Sequence, residues 1–277
     1  SENQQLLKEA LQNYFKDENW ELVPAENGLN NITYFVTTPS GSYVLRIYNN
    51  GNDLERVKYE HEVLTKLKDY KFSFEIPKIV PTLKGETYAQ LSNGSHSTLF
   101  ERIPGSMPSV DDLKEVEETG RAAAELLNAL GKINIEKESP NPPYYDLYKV
   151  HHAITRGKFL AEIATSTFDE YREMANALVG EILKVEKDIE QYHKLQLPEQ
   201  LIHADLVYNN VLAKDGKITG VLDFEFCAKD WRVMEIATSL SKFTSEEDPL
   251  KYFEAFLVGF GKEGVLNDDE LKAIPSL

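Results

Sequence analysis

The chain has 277 residues, of which 42% are hydrophobic and 27% are charged, and its formal net charge is −16. This composition is typical of a globular protein with a sizeable core, in one large domain or two lobes. The acidic balance argues against binding along a nucleic-acid backbone, which requires clustered Lys and Arg. No apolar run approaches the roughly 18 residues of a membrane span. A single cysteine, Cys227, excludes an internal disulfide and a cysteine-rich metal site, and a cytoplasmic location is expected.

The first hundred residues are predicted to be rich in β-structure. The polar N-terminus predicts an amphipathic helix rather than a signal peptide. ITYFVTT and SYVLRIY are β-branched and aromatic runs separated by the turn signal PSG, which predicts a hairpin. A helix is expected from about Leu54 to Lys68, where apolar residues recur at helical spacing. Three short strands are expected in IPKIVPTLKGETYAQLSNGSHSTLFERI, with turns at KGE and NGS.

Beyond a linker near residues 101–108, most of the sequence is predicted to be helical. Apolar residues recur three and four positions apart in DDLKEVEETGRAAAELLNALGKI, FDEYREMANALVGEILKVEKDIEQYHKL and LKYFEAFLVGF. NPPYYDLYKVHHAITRG is predicted to be irregular, and VLAKDGKITGVLDF to be a hairpin with its turn at KDG. The sequence therefore predicts a small β-dominated lobe and a larger α-rich lobe, with a cleft between them suited to a small ligand.

Three polar residues interrupt the apolar stretch LIHADLVYNNVL, namely His203, Asp205 and Asn210. Burying a polar group costs free energy unless the group forms hydrogen bonds, so such residues are expected to have a structural or a functional role. Asp223 follows Asn210 by thirteen residues, at the end of ITGVL. Phosphoryl transfer requires a carboxylate that accepts the proton of the attacking hydroxyl, and hard oxygen ligands for Mg²⁺. The two Asp residues and the Asn supply those groups, and the hairpin between Asn210 and Asp223 folds them back toward each other.

These motifs resemble those of a known superfamily. HADLVYNNVL resembles the H-x-D-x-x-x-x-N catalytic loop of the aminoglycoside phosphotransferase, choline kinase and homoserine kinase superfamily, relatives of the protein kinases. GVLDFEF is similar to its metal-binding motif, GLNNITYFV and YVLRIY to its first two strands, and LFERIPG to its interlobe hinge. The order and spacing match from about residue 5 to residue 245. The resemblance implies an α+β, bilobal, protein-kinase-like fold, with a nucleotide-binding lobe at 1–102 and a catalytic and substrate-binding lobe at 103–277.

The resemblance also implies roles for individual residues. Asp205 would be the catalytic base, or the group that orients the acceptor hydroxyl. Asn210 and Asp223 would bind Mg²⁺. Arg46 stands where many relatives have a lysine that reaches the nucleotide phosphates. Arginine presents a planar guanidinium and lysine a point charge, so direct contact between Arg46 and the phosphates is left open. Glu60 falls where the helix glutamate that pairs with this cation is expected, and Glu62 is the runner-up.

The nucleotide would be held mainly by backbone groups. The loop ENGLNN, which contains Gly28, Asn30 and Asn31, would cover the phosphates of ATP through its N–H groups. At the hinge, the backbone of Glu101 and Ile103 would face the adenine. Side-chain identity matters little for that role.

Four further residues are interpreted less specifically. His203 is expected to brace the catalytic loop through hydrogen bonds. Glu235, in DWRVMEIA, replaces the aspartate usual in this family stretch and is expected to support the same loop, and Trp231 is expected to pack. Glu225 has three open interpretations, which are a place near a second metal, a place near the acceptor, and a polar residue that faces the surface.

The resemblance favours an ATP- and Mg²⁺-dependent kinase that phosphorylates a hydroxyl of a small amino alcohol. HADL followed by GVLDF resembles the bacterial homoserine kinase branch, from which Glu225 departs. Aminoglycosides and other cationic amino alcohols would suit an acidic lobe, so an antibiotic-type O-phosphotransferase is the alternative. The resemblance also leads us to expect further helices after LKAIPSL, so either the sequence is short or the acceptor pocket is incomplete.

Two other classes remain. A nucleotide-binding pseudokinase is supported only by Arg46 in place of lysine. A protein kinase is disfavoured by the glycine-poor loop and by the short interval between Asp223 and the helix at Ile236. The expected partner is a small-molecule hydroxyl acceptor, rather than nucleic acid or a membrane, and the chain is expected to be a monomer or a homodimer.

Overall fold

The computed structural model describes residues 2–17, 19–25, 31–48, 54–109, 111–143, 187, 197–243 and 246–273. Across these ranges an antiparallel sheet is followed by a part made mainly of helices, so the α+β fold class predicted from the sequence is confirmed. None of the helices in these ranges is long and apolar enough to cross a membrane.

The first part of the chain forms one antiparallel sheet with two helices. Its elements are α1 (Glu2–Gln12), β1 (Glu21–Pro24), β2 (Asn31–Thr38), β3 (Gly41–Tyr48), α2 (Leu54–Leu67), β4 (Ile79–Val80), β5 (Ala89–Gln90) and β6 (His96–Glu101). The strand order is β1-β2-β3-β6-β4, and β5 also pairs with β6. β-Branched and aromatic side chains dominate β2 and β3, because such side chains pack well on a pleated surface.

Side-chain alternation along β3 decides where Arg46 points. Leu45 and Ile47 are buried in a cluster with residues of α1. Successive side chains of a strand point to opposite faces of the sheet. Val44 accordingly packs against the other cluster, which includes Tyr59, Val63, Leu64 and Leu67 of α2. Arg46 therefore lies on the face that α2 covers.

The second part of the chain is mainly helical. Its elements are α3 (Leu113–Leu130), β7 (Glu199–Ile202), a 3₁₀ turn (Tyr208–Asn210), β8 (Val211–Lys214), β9 (Lys217–Val221), β10 (Ala228–Trp231), α4 (Arg232–Ser241), α5 (Pro249–Gly261) and α6 (Asp268–Ala273). β7 pairs with β10, and β8 pairs with β9, both antiparallel. Asp112 is the N-cap residue of α3, and its carboxylate accepts hydrogen bonds from the N–H groups of Lys114 and Glu115.

The β8–β9 hairpin connects the two parts. The N–H of Glu75 donates to the carbonyl of Thr219 at 2.9 Å. Ser106 and Ala213 exchange two backbone hydrogen bonds, of 3.0 and 2.8 Å. The hydroxyl of Thr219 donates to the carbonyl of Pro104 at 2.7 Å. The linker predicted near residues 101–108 is therefore held against the hairpin whose ends carry the two predicted magnesium ligands.

The predicted local elements agree with the structure where short-range signals are strong. The hairpin of β2 and β3 turns at Pro39–Ser40, α2 ends at Leu67, and the second predicted hairpin is formed by β8 and β9. Strand β1 and the β7–β10 pair were not predicted. These strands have four residues each, and they form because another strand pairs with them and not because apolar and polar side chains alternate along their sequence. The helix predicted at 168–195 lies outside the described residues apart from Lys187, and only 141–143 of the predicted irregular segment are described.

His61, on α2, is a buried group whose protonation opposes folding. It is 3% exposed, and its ring nitrogens lie 2.8 Å from Thr87 Oγ1 and 3.2 Å from Thr98 Oγ1. Burial, assisted by the charge of Arg46, lowers the pKa of His61 from 6.5 to about 4. The unfolded chain therefore binds this proton more readily, and the free energy of unfolding is expected to fall as the pH drops from about 6.5 toward 4. By about pH 5 the His61 contribution is about 2 kcal/mol.

Urea unfolding of the wild type and of His61→Gln, at about pH 8 and about pH 5, measures this contribution. The loss of unfolding free energy between the two pH values should be smaller in the variant by about 2 kcal/mol. An equal loss in both proteins would show that other groups control the acid response.

Candidate active site

The segment between β7 and β8 is a tight loop built around Asp205. The N–H of Asp205 donates to Nδ1 of His203 at 3.1 Å, and its carbonyl accepts from the N–H of Val207 at 2.9 Å. Nδ2 of Asn210 donates to the carbonyl and to the carboxylate Oδ2 of Asp205, at 2.8 Å each. Ala204 adopts φ 72°, a left-handed conformation that is costly for a residue with a side chain. These bonds hold the Asp205 carboxylate against Asn210.

Helix α4 supports this loop from one side. The buried carboxylate of Glu235 accepts hydrogen bonds from the N–H groups of His203 and Ala204. Burial raises the pKa of Glu235 to about 7, and the two N–H groups oppose the rise. The hydroxyl of Ser239, one turn later, donates to the carbonyl of Leu206. The face of α4 that carries these two side chains therefore stabilises the strained loop, which agrees with the supporting role expected of Glu235.

His203 is buried and contacts both its own loop and the segment that follows β9. Its side chain is fully buried and packs edge-on against Phe224, with ring centroids 4.7 Å apart. Because Nδ1 accepts from the Asp205 N–H, Nε2 carries the proton and donates to the carbonyl of Leu222 at 2.8 Å. His203 thereby connects the catalytic loop to the segment that follows β9, as a bracing residue would.

The β8–β9 hairpin returns the chain to the catalytic loop. The N–H of Leu222 donates to the carbonyl of Asn210 at 2.8 Å, and Asp223 is the next residue. Asp223 adopts φ 60°, which is again the left-handed region. The hairpin thus brings Asn210 and Asp223 to one place, as the spacing predicted.

Arg46 connects Glu60 to Asp223. Its Nη1 atom lies 3.5 Å from Glu60 Oε1 and 3.5 Å from Asp223 Oδ1. These three atoms are buried, and none forms a hydrogen bond with another residue in the described part of the chain. Burial raises the pKa of Glu60 to about 8, and Arg46 opposes the rise. The structure thus places Glu60 against Arg46 and joins the pair to the segment that follows β9.

Glu225 is buried, so the surface-facing interpretation of this residue is wrong. It is 9% exposed, and Nδ2 of Asn31 lies 3.4 and 3.3 Å from its two carboxylate oxygens. Burial and the charge of Asp223 raise the pKa of Glu225 to about 7, and Arg46, Asn31 and Arg56 oppose the rise. Because Asn31 is the first residue of β2, this contact ties the sheet directly to the segment that contains Asp223.

Asp205, Asp223 and Glu225 bring three carboxylates close together. Burial, and then the charge of Asp223, raise the pKa of Asp205 to about 6, while Asn210 and Lys242 oppose the rise. The same two causes act on Glu225. A divalent cation with oxygen ligands would relieve this repulsion and would satisfy Asp223 Oδ1, which is buried without a donor from the described residues.

The oxygen atoms at this site suit magnesium, which usually completes its coordination with water and phosphate, better than a metal that is bound by protein side chains alone. No group of three or more His, Cys, Asp or Glu side chains with metal-binding geometry occurs among the residues that the structure describes. Magnesium is commonly held by one or two carboxylates, with water and substrate phosphates as its other ligands. Asp223 would supply such a carboxylate, and the amide oxygen of Asn210 would be a second hard ligand.

The hinge backbone is held on both sides. The N–H of Glu101 donates to the carbonyl of Lys78 at 2.9 Å, so the carbonyl is the backbone group of Glu101 that would face a ligand. Arg102 donates to a carbonyl of β3 at 3.0 Å. The side chain of Ile103 packs on β9, where a Cβ added at Gly220 would lie 2.8 Å from Ile103 Cγ2. The strand and the hairpin therefore determine the course of the hinge.

Two of the predicted site residues, Gly28 and Asn30, lie outside the described residues. Asn31 is described, and its side chain contacts Glu225. The contact between its backbone N–H and the nucleotide phosphates stays a prediction. The sequence interpretation also missed Ser239. Its spacing of four from Glu235 is the signal that would have placed both residues on one face of a helix.

Comparison with known proteins agrees with this geometry. The sequence model of the phosphotransferase enzyme family matches residues 21–271. A homoserine kinase from Caulobacter sp. (strain K31) is 26% identical over 258 residues, covering 90% of this chain and 74% of that protein. The structure of a microcompartment-associated aminopropanol kinase aligns with a TM-score of 0.65 at 17% identity, covering 99% of this chain and 84% of that one. A spectinomycin phosphotransferase, in complex with ADP and spectinomycin, aligns with a TM-score of 0.63 at 15% identity, covering 98% and 82%.

At these identities the solved structures establish the fold and not the substrate. The family match spans the sheet that carries Arg46 and the loops that carry Asp205 and Asp223. The resemblance inferred from the motifs is thereby confirmed. The chain belongs to the phosphotransferase enzyme family and has the α+β, protein-kinase-like fold of the solved phosphotransferases that it resembles.

Proposed function

We propose that this phosphotransferase transfers the γ-phosphoryl group of ATP to a hydroxyl of a small amino alcohol, with homoserine as the first candidate. The observation that carries the proposal is the convergence of Asp205, Asn210 and Asp223 beside the Arg46–Glu60 pair. Phosphoryl transfer depends on positioning and on charge stabilisation, and these residues supply the groups that both require.

Asp205 would accept the proton of the attacking hydroxyl, or would orient that hydroxyl. Its Oδ2 atom is held by Asn210, which leaves Oδ1 for the acceptor. A pKa of about 6 keeps most of the carboxylate ionised at neutral pH, in the state that can accept a proton. The raised pKa also makes Asp205 a stronger base than an exposed aspartate.

Asn210 and Asp223 would hold Mg²⁺, which when bound neutralises charge on the nucleotide phosphates. Asn210 uses its amide nitrogen for both bonds to Asp205, and its amide oxygen is therefore the atom available to a cation. Arg46 would neutralise phosphate charge from the side of β3, with Glu60 holding the guanidinium in place.

We assign nucleotide binding to a lobe at 1–102, and catalysis and acceptor binding to a lobe at 103–277. The carbonyl of Glu101 and the N–H of Ile103 would bind the adenine. The loop that contains Gly28, Asn30 and Asn31 would cover the phosphates. The contact between Asn31 and Glu225 supports this division of labour, because it would position the end of that loop against the metal-binding segment.

The acceptor class is supported by chemistry that the similar proteins share. Homoserine, aminopropanol and spectinomycin, which the names of these proteins give, all carry a hydroxyl and an amine. A site with three clustered carboxylates, in a chain of net charge −16, would attract the protonated amine of such compounds. The spectinomycin phosphotransferase keeps an antibiotic-type acceptor as the alternative. A pseudokinase is disfavoured, because Asp205, Asn210 and Asp223 are all present and converge.

An acceptor panel with ATP, with and without Mg²⁺, tests the proposal. The panel contains homoserine, choline, methylthioribose, aminoglycosides and macrolides, and ADP release is measured against a water blank. We expect Mg²⁺-dependent turnover that is highest with homoserine. Homoserine turnover no faster than the blank would overturn the narrower assignment. Tight ATP binding without turnover of any acceptor would favour the pseudokinase.

A further inference from the structure

Residues 222–227, which connect β9 to β10, form a loop with few backbone hydrogen bonds of its own. Within it, the N–H of Cys227 donates to the carbonyl of Phe224 at 3.3 Å. Asp223 adopts φ 60°, a conformation that persists only where the surrounding structure holds it. The position of the Asp223 carboxylate therefore depends on bonds from other parts of the chain.

Two residues that follow α3 bind the carbonyl groups of this loop. Nδ2 of Asn141 donates to the carbonyl of Glu225 at 2.8 Å and lies 3.5 Å from the carbonyl of Cys227. The hydroxyl of Ser139 donates to the Cys227 carbonyl at 2.7 Å and accepts from the N–H of Asn141 at 3.0 Å. Buried backbone carbonyls require such partners, and here side chains supply them.

The contact made by Asn141 requires a hydrogen-bond donor. Asn141 is 8% exposed, and the two backbone oxygens near its Nδ2 atom can only accept hydrogen bonds. An aspartate of the same shape would place an acceptor against them. The amide of Asn141 therefore suits this place by its chemistry and not only by its size.

Glu225 is bound from two sides. Asn31, at the start of β2, contacts its carboxylate, and Asn141 binds its backbone carbonyl. Glu225 lies two residues after Asp223, so these contacts restrain the chain on the C-terminal side of Asp223. The β8–β9 hairpin restrains the chain on the other side.

We propose that Asn141 is a positioning residue that, together with Asn31, holds Asp223 where its carboxylate can bind the magnesium of Mg·ATP. This inference rests on the proposed function and extends it to the residues that support the proposed magnesium ligand. Magnesium requires near-ideal octahedral geometry, so a displaced ligand binds it poorly. Substitution of the residues that orient a metal ligand lowers metal affinity for the same reason.

Calorimetric titration with ATP, in Mg²⁺ and in EDTA, tests the inference without an acceptor. Asn141→Ala should weaken ATP binding about tenfold in Mg²⁺ and less than about twofold in EDTA, because only the first value depends on the position of Asp223. With saturating Mg²⁺, ATP and acceptor, kcat should fall less than about threefold, because Asp205 keeps its own bonds. Asn141→Asp, which cannot donate to the carbonyls, should weaken binding in Mg²⁺ at least as much.

Asn128→Ala is the matched control. Asn128 makes the same kind of bond, from Nδ2 to the carbonyl of Glu263 at 2.8 Å, between α3 and the residues after α5. Neither helix carries a proposed site residue, so this variant should keep both ATP affinities. Ser139→Ala removes the neighbouring bond and should weaken binding in Mg²⁺ less than Asn141→Ala does. It decides the inference if thermal unfolding shows that neither Asn141 variant is folded.

The outcomes separate this inference from the proposed function. Equal weakening in Mg²⁺ and in EDTA would show that Asn141 only supports the fold, and unchanged affinity in both would show that Asp223 does not depend on it. Either result would overturn the inference. A wild type that phosphorylates no acceptor, with the Mg²⁺-dependent loss present in Asn141→Ala, would overturn the proposed function alone. A wild type whose ATP affinity is the same in Mg²⁺ and in EDTA would overturn the magnesium role of Asp223 and this inference with it.

Discussion

Asp205→Asn is expected to lower kcat by about three orders of magnitude, while the KM for ATP changes less than about threefold. The substitution keeps the shape of the side chain and removes its ability to accept a proton. The hydrogen bonds that the Asp205 backbone makes with His203, Val207 and Asn210 do not depend on the carboxylate, so the loop should stay in place. Steady-state kinetics with the accepted substrate measure kcat and the KM for ATP, and calorimetric titration measures the affinity for ATP independently.

Asp215→Asn is the matched control for this experiment. Asp215 lies in the turn between β8 and β9, is exposed, and has φ 53°, a conformation that Asn also tolerates. The same chemical change there should leave kcat unaltered. If Asp205→Asn retains wild-type turnover, Asp205 is not the base, and the roles proposed for the residues bonded to it must be reassigned.

Gly259→Ala is expected to lower the free energy of unfolding by about 3 kcal/mol or more. Gly259 lies on α5 where this helix crosses α3, and a Cβ added there would overlap the backbone carbonyl of Glu117. The contact is reciprocal, since a Cβ added at Gly120 on α3 would overlap the carbonyl of Phe256. A backbone atom cannot move aside by changing a rotamer, so the two helices would have to separate and lose packing in the main core.

Gly261→Ala provides the comparison for Gly259→Ala. It lies at the end of the same helix, and a Cβ added there meets nothing within 4 Å. This variant should be neutral, or more stable by less than about 1 kcal/mol, because alanine favours the helix more than glycine does. Urea unfolding of both variants at one pH gives the comparison. Equal stability of the two would contradict the close helix crossing.

The local motifs were readable from the sequence because the groups they join are close along the chain. Asp205, Asn210 and Asp223 fall within one loop and one hairpin, so spacing alone predicted that they converge. The resemblance to the phosphotransferase superfamily placed Glu60 among the candidates to pair with Arg46. Glu62 was left as an alternative, because deciding between them depends on which face of α2 packs on the sheet, and that choice is made by the core.

The tertiary structure alone decided the contacts between distant segments. Asn31 and Glu225 are 194 residues apart, so no local pattern could reveal their contact or show that Glu225 is buried. The β7–β10 pair also joins distant segments, and the hydrogen bond from Ser239 to the carbonyl of Leu206 depends on how α4 docks on the catalytic loop. The sequence by itself determined the candidate reactive groups, because these groups are residue types that lie at short spacing along the chain. Packing determined which further residues surround them, because burial and strand pairing depend on the whole fold.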